Sequence, residues 1–192
     1  MSLLDLQKTK ASRVLGIDCS THSLAFCLFY NRRPVKWGKI NFEGSDLFAR
    51  IVDADSKVRA LVDEFASDFI AFEGAILANN KNVKVTISLS LMYGAVLSVL
   101  LRNNKKIVQP TPLQWQNFID NPPLSRAEKA QIKIDWPGKS TSWYSNKGRE
   151  IRKQRTMDYF NKKWPHMNLT DNDVGDAAGI GYYAYYELTR RK

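Results

Sequence analysis

Val14-Leu15-Gly16-Ile17-Asp18 runs four uncharged residues straight into a carboxylate, and Cys19-Ser20-Thr21-His22-Ser23 then turns the chain. An apolar run bounded by turn formers reads as a strand buried on both faces. A central strand that ends in an acid delivers that acid to the place where the sheet opens to solvent. For one Asp alone, turn formation is an equal explanation. A second apolar run, Asp68-Phe69-Ile70-Ala71-Phe72-Glu73-Gly74, ends the same way. Asp173 and Asp176 then open the last helical segment. Three residues apart, they project from one face, in the first turn where the helix dipole tolerates negative charge. Taken singly, Asp173 reads as an N-terminal cap, and nearby Asp171 competes for that role or for a ligand's. Asp176 precedes Ala177-Ala178-Gly179-Ile180-Gly181, small residues suited to a helix lying close on a sheet. An acid at the rim of that contact faces the strand ends that carry Asp18 and Glu73.

The remaining order follows from periodicity. Residues 1–12 read as a flexible arm, and residues 13–192 as one domain, since 192 residues with 44% hydrophobic content bury a single sizeable core. Leu24–Tyr30 is a second strand, Asn31-Arg32-Arg33-Pro34 a turn, and Val35–Phe42 an edge strand with Val35, Trp37 and Lys39 on one face. Ser45-Asp46 begins a helix whose apolar residues run from Leu47 to Phe65 at helical spacing, its acids forming a solvated face. Phe69–Glu73 is a buried strand. After the polar loop 78–82, Val83–Asn103 is a helix apolar almost all round, either central or shared with another subunit. Ile107–Pro110 is a fifth strand, and Thr111-Pro112 starts a helix. The β-β-β-α-β-α-β order makes an α/β fold with a central five-stranded mixed sheet flanked by helices.

Residues 121–154 differ in composition, with tandem prolines, many cations, and Trp136, Trp143 and Tyr144 at no clear period. The segment reads as an irregular basic insertion, which either grips phosphates and stacks on bases or is a surface excursion anchored by its tryptophans. Helices over 147–164 and 173–191 close the chain.

Charge narrows the function. Lys and Arg number 29 against 19 Asp and Glu, a net of +10, which suits a polyanionic partner. Cys19 and Cys27 fall in or beside buried strands, without metal-ligand spacing, so neither a disulfide scaffold nor a zinc site is expected, and a cytoplasmic setting is. The amino-terminal residues lack a signal peptide's apolar core, and no stretch approaches the ~20 apolar residues of a membrane span. Four carboxylates brought together repel one another unless cations join them. Hard divalent ions, Mg²⁺ or Mn²⁺, are the natural occupants. Two such ions form the clamp for phosphodiester hydrolysis. A basic protein with an acidic pocket has the charge pattern of a nuclease.

Val-Leu-Gly-Ile-Asp18 followed by Ser and Thr, Ile-Ala-Phe-Glu73, and Asp173-x-x-Asp176-Ala-Ala resemble, in order, the catalytic segments of the RuvC-type Holliday-junction resolvases, which have the RNase H-like fold. The resemblance spans about residues 13–186. It implies four catalytic, metal-binding acids, Asp18, Glu73, Asp173 and Asp176, two Mg²⁺ ions per site with Mn²⁺ as a substitute, and a homodimer cutting opposed strands of a four-way junction. The apolar helix at 83–103 is the candidate interface. Bacterial members carry an aromatic wedge where this chain has Ile76, with Leu77 beside it. The long 121–154 segment resembles small viral members, which places the protein in the host-cell cytoplasm if it is viral. Lys81, Lys84 and Lys153 are candidates to steady the phosphate, with Lys147 and Arg152 as further DNA contacts. Two other readings compete. Gly16-Ile17-Asp18-Cys19-Ser20-Thr21 also resembles the first phosphate loop of actin and sugar-kinase phosphotransferases, but no second glycine-rich loop follows. A non-catalytic nucleic-acid-binding module would have no reason to keep four acids.

Overall fold

Five strands hydrogen-bond in the order β3-β2-β1-β4-β5 in a computed structural model that describes residues 13–73, 83–103 and 105–190. The strands are β1 (Arg13–Cys19), β2 (Ser23–Tyr30), β3 (Arg33–Asn41), β4 (Phe69–Phe72) and β5 (Lys106–Val108). The first three form an antiparallel meander, whereas β4 lies parallel to β1 and β5 parallel to β4. The β2–β3 hairpin closes through Asn31 and Arg32, both at positive φ (48° and 66°). That conformation matches the twist of a two-residue hairpin turn. The expected arm at 1–12 lies outside the described residues.

Among the described residues six α-helices accompany the sheet: α1 (Leu47–Phe65), α2 (Val83–Arg102), α3 (Pro112–Phe118), α4 (Arg126–Asp135), α5 (Thr141–Lys163) and α6 (Asn172–Arg190). Strand alternation divides the core in two. Leu15, Ile17, Ile70 and Phe72 point toward α1 and α2, joined there by Val58, Val62, Met92 and Val96. Val14, Ala71 and Val108 point the other way, against Trp115 of α3, Phe160 of α5 and Ala177, Ala178 and Ile180 of α6. Asp18 follows Ile17, and Glu73 follows Phe72. Parity therefore turns both acids to the α6 face.

Asp46 caps α1, its carboxylate accepting from Ala49 N at 2.9 Å. The acids of α1 do form a solvated face, paired as Asp53–Lys57 and Asp55–Arg59.

Two expectations are corrected. Residues 121–154 are not irregular, since α4 and most of α5 occupy them. Ser125 and Glu128 form a capping box on α4, and the Ser140 hydroxyl accepts from Trp143 N at the start of α5. An apolar stripe is needed only where a helix packs, and on α5 the buried residues are Thr156, Met157 and Phe160, all in its second half. The first half shows no periodicity because it stands clear of the sheet. Its aromatics close the segment on itself, with Trp136 and Trp143 centroids 5.8 Å apart and Trp143 edge-on to Tyr144.

The second correction concerns α2. At 20 residues it is long and apolar enough, by length and composition, to cross a membrane. Here Met92, Val96, Val99 and Leu100 form a stripe buried in the core, while Val85, Ile87, Leu89 and Leu91 face solvent.

Candidate active site

The register of the sheet assembles the site in a row. Asp18 pairs with Ala25, and Ala25 pairs with Lys39. On the other side Ile17 pairs with Phe72, so Asp18 and Glu73 stand level on adjacent parallel strands. Lys39, Ala25, Asp18 and Glu73 thus cross the sheet on its α6 face, with small, buried Ala25 leaving room between lysine and acid.

The contact between β1 and α6 brings Asp176 to this row. A Cβ on Gly16 would lie 2.3 Å from Ala177 O and 2.5 Å from Gly181 N. The run of small residues therefore does what its composition predicts: the helix backbone rests on the strand. Asp171 settles the capping question, accepting from Asp173 N at 2.8 Å and from Val174 N at 3.3 Å. Asp173 is thereby free of capping. Its two carboxylate oxygens instead accept from Lys39 Nζ at 2.7 Å and Lys153 Nζ at 2.9 Å.

Electrostatics separates the four acids. Asp18 is pushed from 3.8 to about 8, by burial first and then by the charges of Asp176, Glu73 and Asp173. Asp176 is pushed up to about 7, again chiefly by burial, with Glu73 adding to the rise and Lys153, 3.9 Å away, opposing it. Burial also raises Glu73, against the hydrogen bond it accepts from Trp115. For Asp173 burial is outweighed by the bonds from Lys39 and Lys153, and its carboxyl is held below the usual range. Asp18, Glu73 and Asp176 thus form an electron-rich pocket that favours either protons or cations, and Asp173 is the member already neutralised.

The donor set fits a hard divalent cation, being oxygen only, anionic and held by three elements. Its members feel one another's charge, but among the described residues no three stand close enough to enclose an ion as they are. Cys19, beside Asp18, is pushed up to about 12 by burial and by that neighbour, and buried Cys27 is also raised. Neither thiol is a nucleophile at neutral pH.

Of the remaining sequence candidates, Lys153 enters the site. Arg152, its neighbour, bonds Gln116. Lys147 pairs with Glu150 and lies over the Trp136 ring. Lys84 is exposed in the first turn of α2. Ile76, Leu77 and Lys81 lie outside the described residues.

Sequence reading missed two residues. Lys39 was legible in part, since a lysine on the Trp37 face of β3 points where apolar residues belong. Trp115 gave no local signal. It is 1% exposed, and its Nε1–H donates to Glu73 Oε1 at 2.7 Å. The ring sits on Gly179 of α6, where a Cβ would come within 2.5 Å of it. Trp115→Phe keeps a ring in that slot and removes the donor. The expected cost is about 1–3 kcal/mol, because a half-buried carboxylate oxygen loses its partner. That cost grows as pH rises through the raised Glu73 pKa and the group ionises. Thermal melts of both proteins across pH check it; a gap that does not vary with pH would mean that only packing was lost.

No protein-family model matches the chain. It is 29% identical, over 125 residues, to the crossover junction endodeoxyribonuclease RuvC of Finegoldia magna, covering 62% of this chain and 74% of that protein. In fold it is similar to Thermus thermophilus RuvC in complex with a Holliday junction substrate (TM-score 0.59, 13% identity, 91% of this chain and 93% of that one). The yeast mitochondrial Holliday junction resolvase Ydc2 is also similar (TM-score 0.57, covering 97% of this chain and 84% of that one). Sheet order and these likenesses agree on the architecture: the chain has the RNase H-like fold of the RuvC-type resolvases, with its carboxylates at the strand ends.

Proposed function

We propose that the chain is a structure-selective endonuclease that hydrolyses phosphodiester bonds in four-way and related branched DNA. The observation that carries this reading is the convergence of Asp18, Glu73 and Asp176, all raised by burial, within a chain of net charge +10. The named functions of the RuvC and Ydc2 proteins support the junction as substrate. Two Mg²⁺ ions, or Mn²⁺, held by Asp18, Glu73, Asp173 and Asp176 would supply an activated water and steady the leaving oxygen.

The chain's own residues do the rest. Asp18 and Glu73 set the depth of the scissile phosphate at the ends of β1 and β4. Lys153 and Lys39, now on Asp173, offer ammonium groups to phosphate oxygens when DNA enters. Arg152 and Lys147 continue the cationic surface along α5 toward the backbone of an arm. A homodimer suits paired, symmetric nicks in a two-fold substrate. The exposed Val85, Ile87, Leu89 and Leu91 of α2 are the apolar surface for it.

The test is cleavage of a labelled four-way junction beside its linear duplex, with Mg²⁺, Mn²⁺ or chelator. Paired cuts near the crossover that need the metal are expected, and they should vanish in Asp176→Asn while junction binding remains. Binding without cleavage in either metal would overturn the catalytic reading. Equal cutting of linear duplex would overturn the junction selectivity.

A further inference from the structure

The helical 121–154 segment contains a cavity that the carboxylate site does not use. It lies between α4 and α5 and measures about 480 Å³, within the roughly 300–1,000 Å³ of small-ligand sites. Buried Leu124 and Ile132 line it together with Pro123 and Tyr144. Lys129, Lys133, Arg149 and Arg152 bring four cations to the same walls. The segment as a whole carries eight Lys and Arg against three Asp and Glu, so much of the excess charge of the chain gathers here.

The walls are built. Arg155 of α5 pairs with Glu128 of α4 and ties the two helices together. The Tyr144 hydroxyl donates to Trp136 O at 2.6 Å, which holds its ring in place. Arg152 lines the cavity, and its buried Nε has no hydrogen-bond acceptor. The next residue, Lys153, bonds Asp173, so cavity and carboxylates are adjacent along one helix.

An apolar hollow with an aromatic wall and a cationic surround matches a flat, apolar-faced group that carries phosphate. We infer that the α4–α5 cavity receives one unpaired nucleobase of a DNA strand, its flanking phosphates resting on Lys129, Lys133 and Arg149. Base–aromatic and apolar contact supplies the affinity and the cations hold the backbone. The inference rests on the proposed function for its DNA partner, and it assigns to that partner an unpaired base beside the cut site.

The test needs no cleavage. Fluorescence anisotropy in chelator compares three labelled linear duplexes: fully paired, with a one-nucleotide bulge, and with an abasic bulge. The expected result is about tenfold tighter binding of the base-bearing bulge than of either other duplex, the size of one stacked base. Two variants at exposed positions keep the fold: Ser145→Trp fills the cavity mouth, and Lys129→Glu with Lys133→Glu reverses the rim. Both should erase the preference. Equal binding of base-bearing and abasic bulges, or a preference that survives Ser145→Trp, would overturn the inference. Junction cleavage by the wild-type protein separates the two readings. Cutting without bulge preference removes only the cavity, whereas preference without cutting removes only the nuclease.

Discussion

Asp18→Asn is expected to lower metal-dependent junction cleavage by roughly 10³-fold or more, the several kcal/mol that a metal clamp contributes to a phosphoryl transition state. It should at the same time raise the stability of the metal-free protein. Asp18 ionises near 3.8 when exposed and at about 8 in the fold. Between those values the folded chain holds a proton that the unfolded chain has released, so stability is lost as pH rises from about 4 through about 8. Asn carries no such penalty, because burial and the neighbouring acids oppose only the charged form. In chelator, the variant should therefore melt above wild type at pH 9, and the gap should close as pH falls toward 4.

On the proposed function, divalent cation is expected to reverse the order. An ion on the ionised carboxylate would stabilise the wild-type fold by mass action, and protons would compete for the same oxygens. The rise in Tm on adding Mg²⁺ or Mn²⁺ should grow with pH up to about 8 in wild type and shrink in Asp18→Asn. Melting curves in chelator and in metal at several pH values measure both effects. A variant that melts below wild type in chelator at pH 9 would show that Asp18 is stabilised by its surroundings, contrary to the electrostatics of the site.

Gly16→Ala is expected to have the largest effect on the fold of any Gly→Ala change among the described residues. Its Cβ would sit 2.3 Å from Ala177 O and 2.6 Å from Gly181 Cα, backbone atoms that no side-chain rotation can move. Relief requires α6 to lift from β1, and α6 carries Ala177, Ala178 and Ile180 into the core. Overpacking costs typically about 1–3 kcal/mol and more where backbone must shift, so a loss of about 3 kcal/mol is expected here. For a chain of this length that lowers Tm by roughly 6–12 °C. Function should suffer beyond stability. Asp176 rides on the lifted helix, so cleavage should fall even well below the new Tm, where the protein is folded. Circular dichroism melts beside junction cleavage at low temperature separate the two losses. Near-wild-type stability would mean that the strand and helix contact is looser than the structure has it.

The local code carried the elements far better than their meetings. The unbroken apolar runs Val14–Ile17 and Phe69–Phe72 are a property of neighbouring residues, and they determined which strands are buried and where their carboxylates emerge. Ala177 to Gly181 likewise announced a close helix contact, because only small residues permit one. Residues 141–155 were legible only as basic and aromatic, since a helix held by a cap and side-chain pairs needs no apolar period.

What the sequence alone determined is the α/β order, the strand ends that bear Asp18 and Glu73, and the small-residue helix that bears Asp176. Tertiary structure decided the partners. Asp171 rather than Asp173 caps α6, Lys39 and Lys153 hold Asp173, and Trp115 holds Glu73. Trp115 and Glu73 stand 42 residues apart, and Lys39 and Asp173 stand 134 apart. Periodicity records which face a residue takes, because that face is set by its own backbone. Which polar atoms meet across two faces depends on sheet register and helix docking, and those exist only once the whole core has packed.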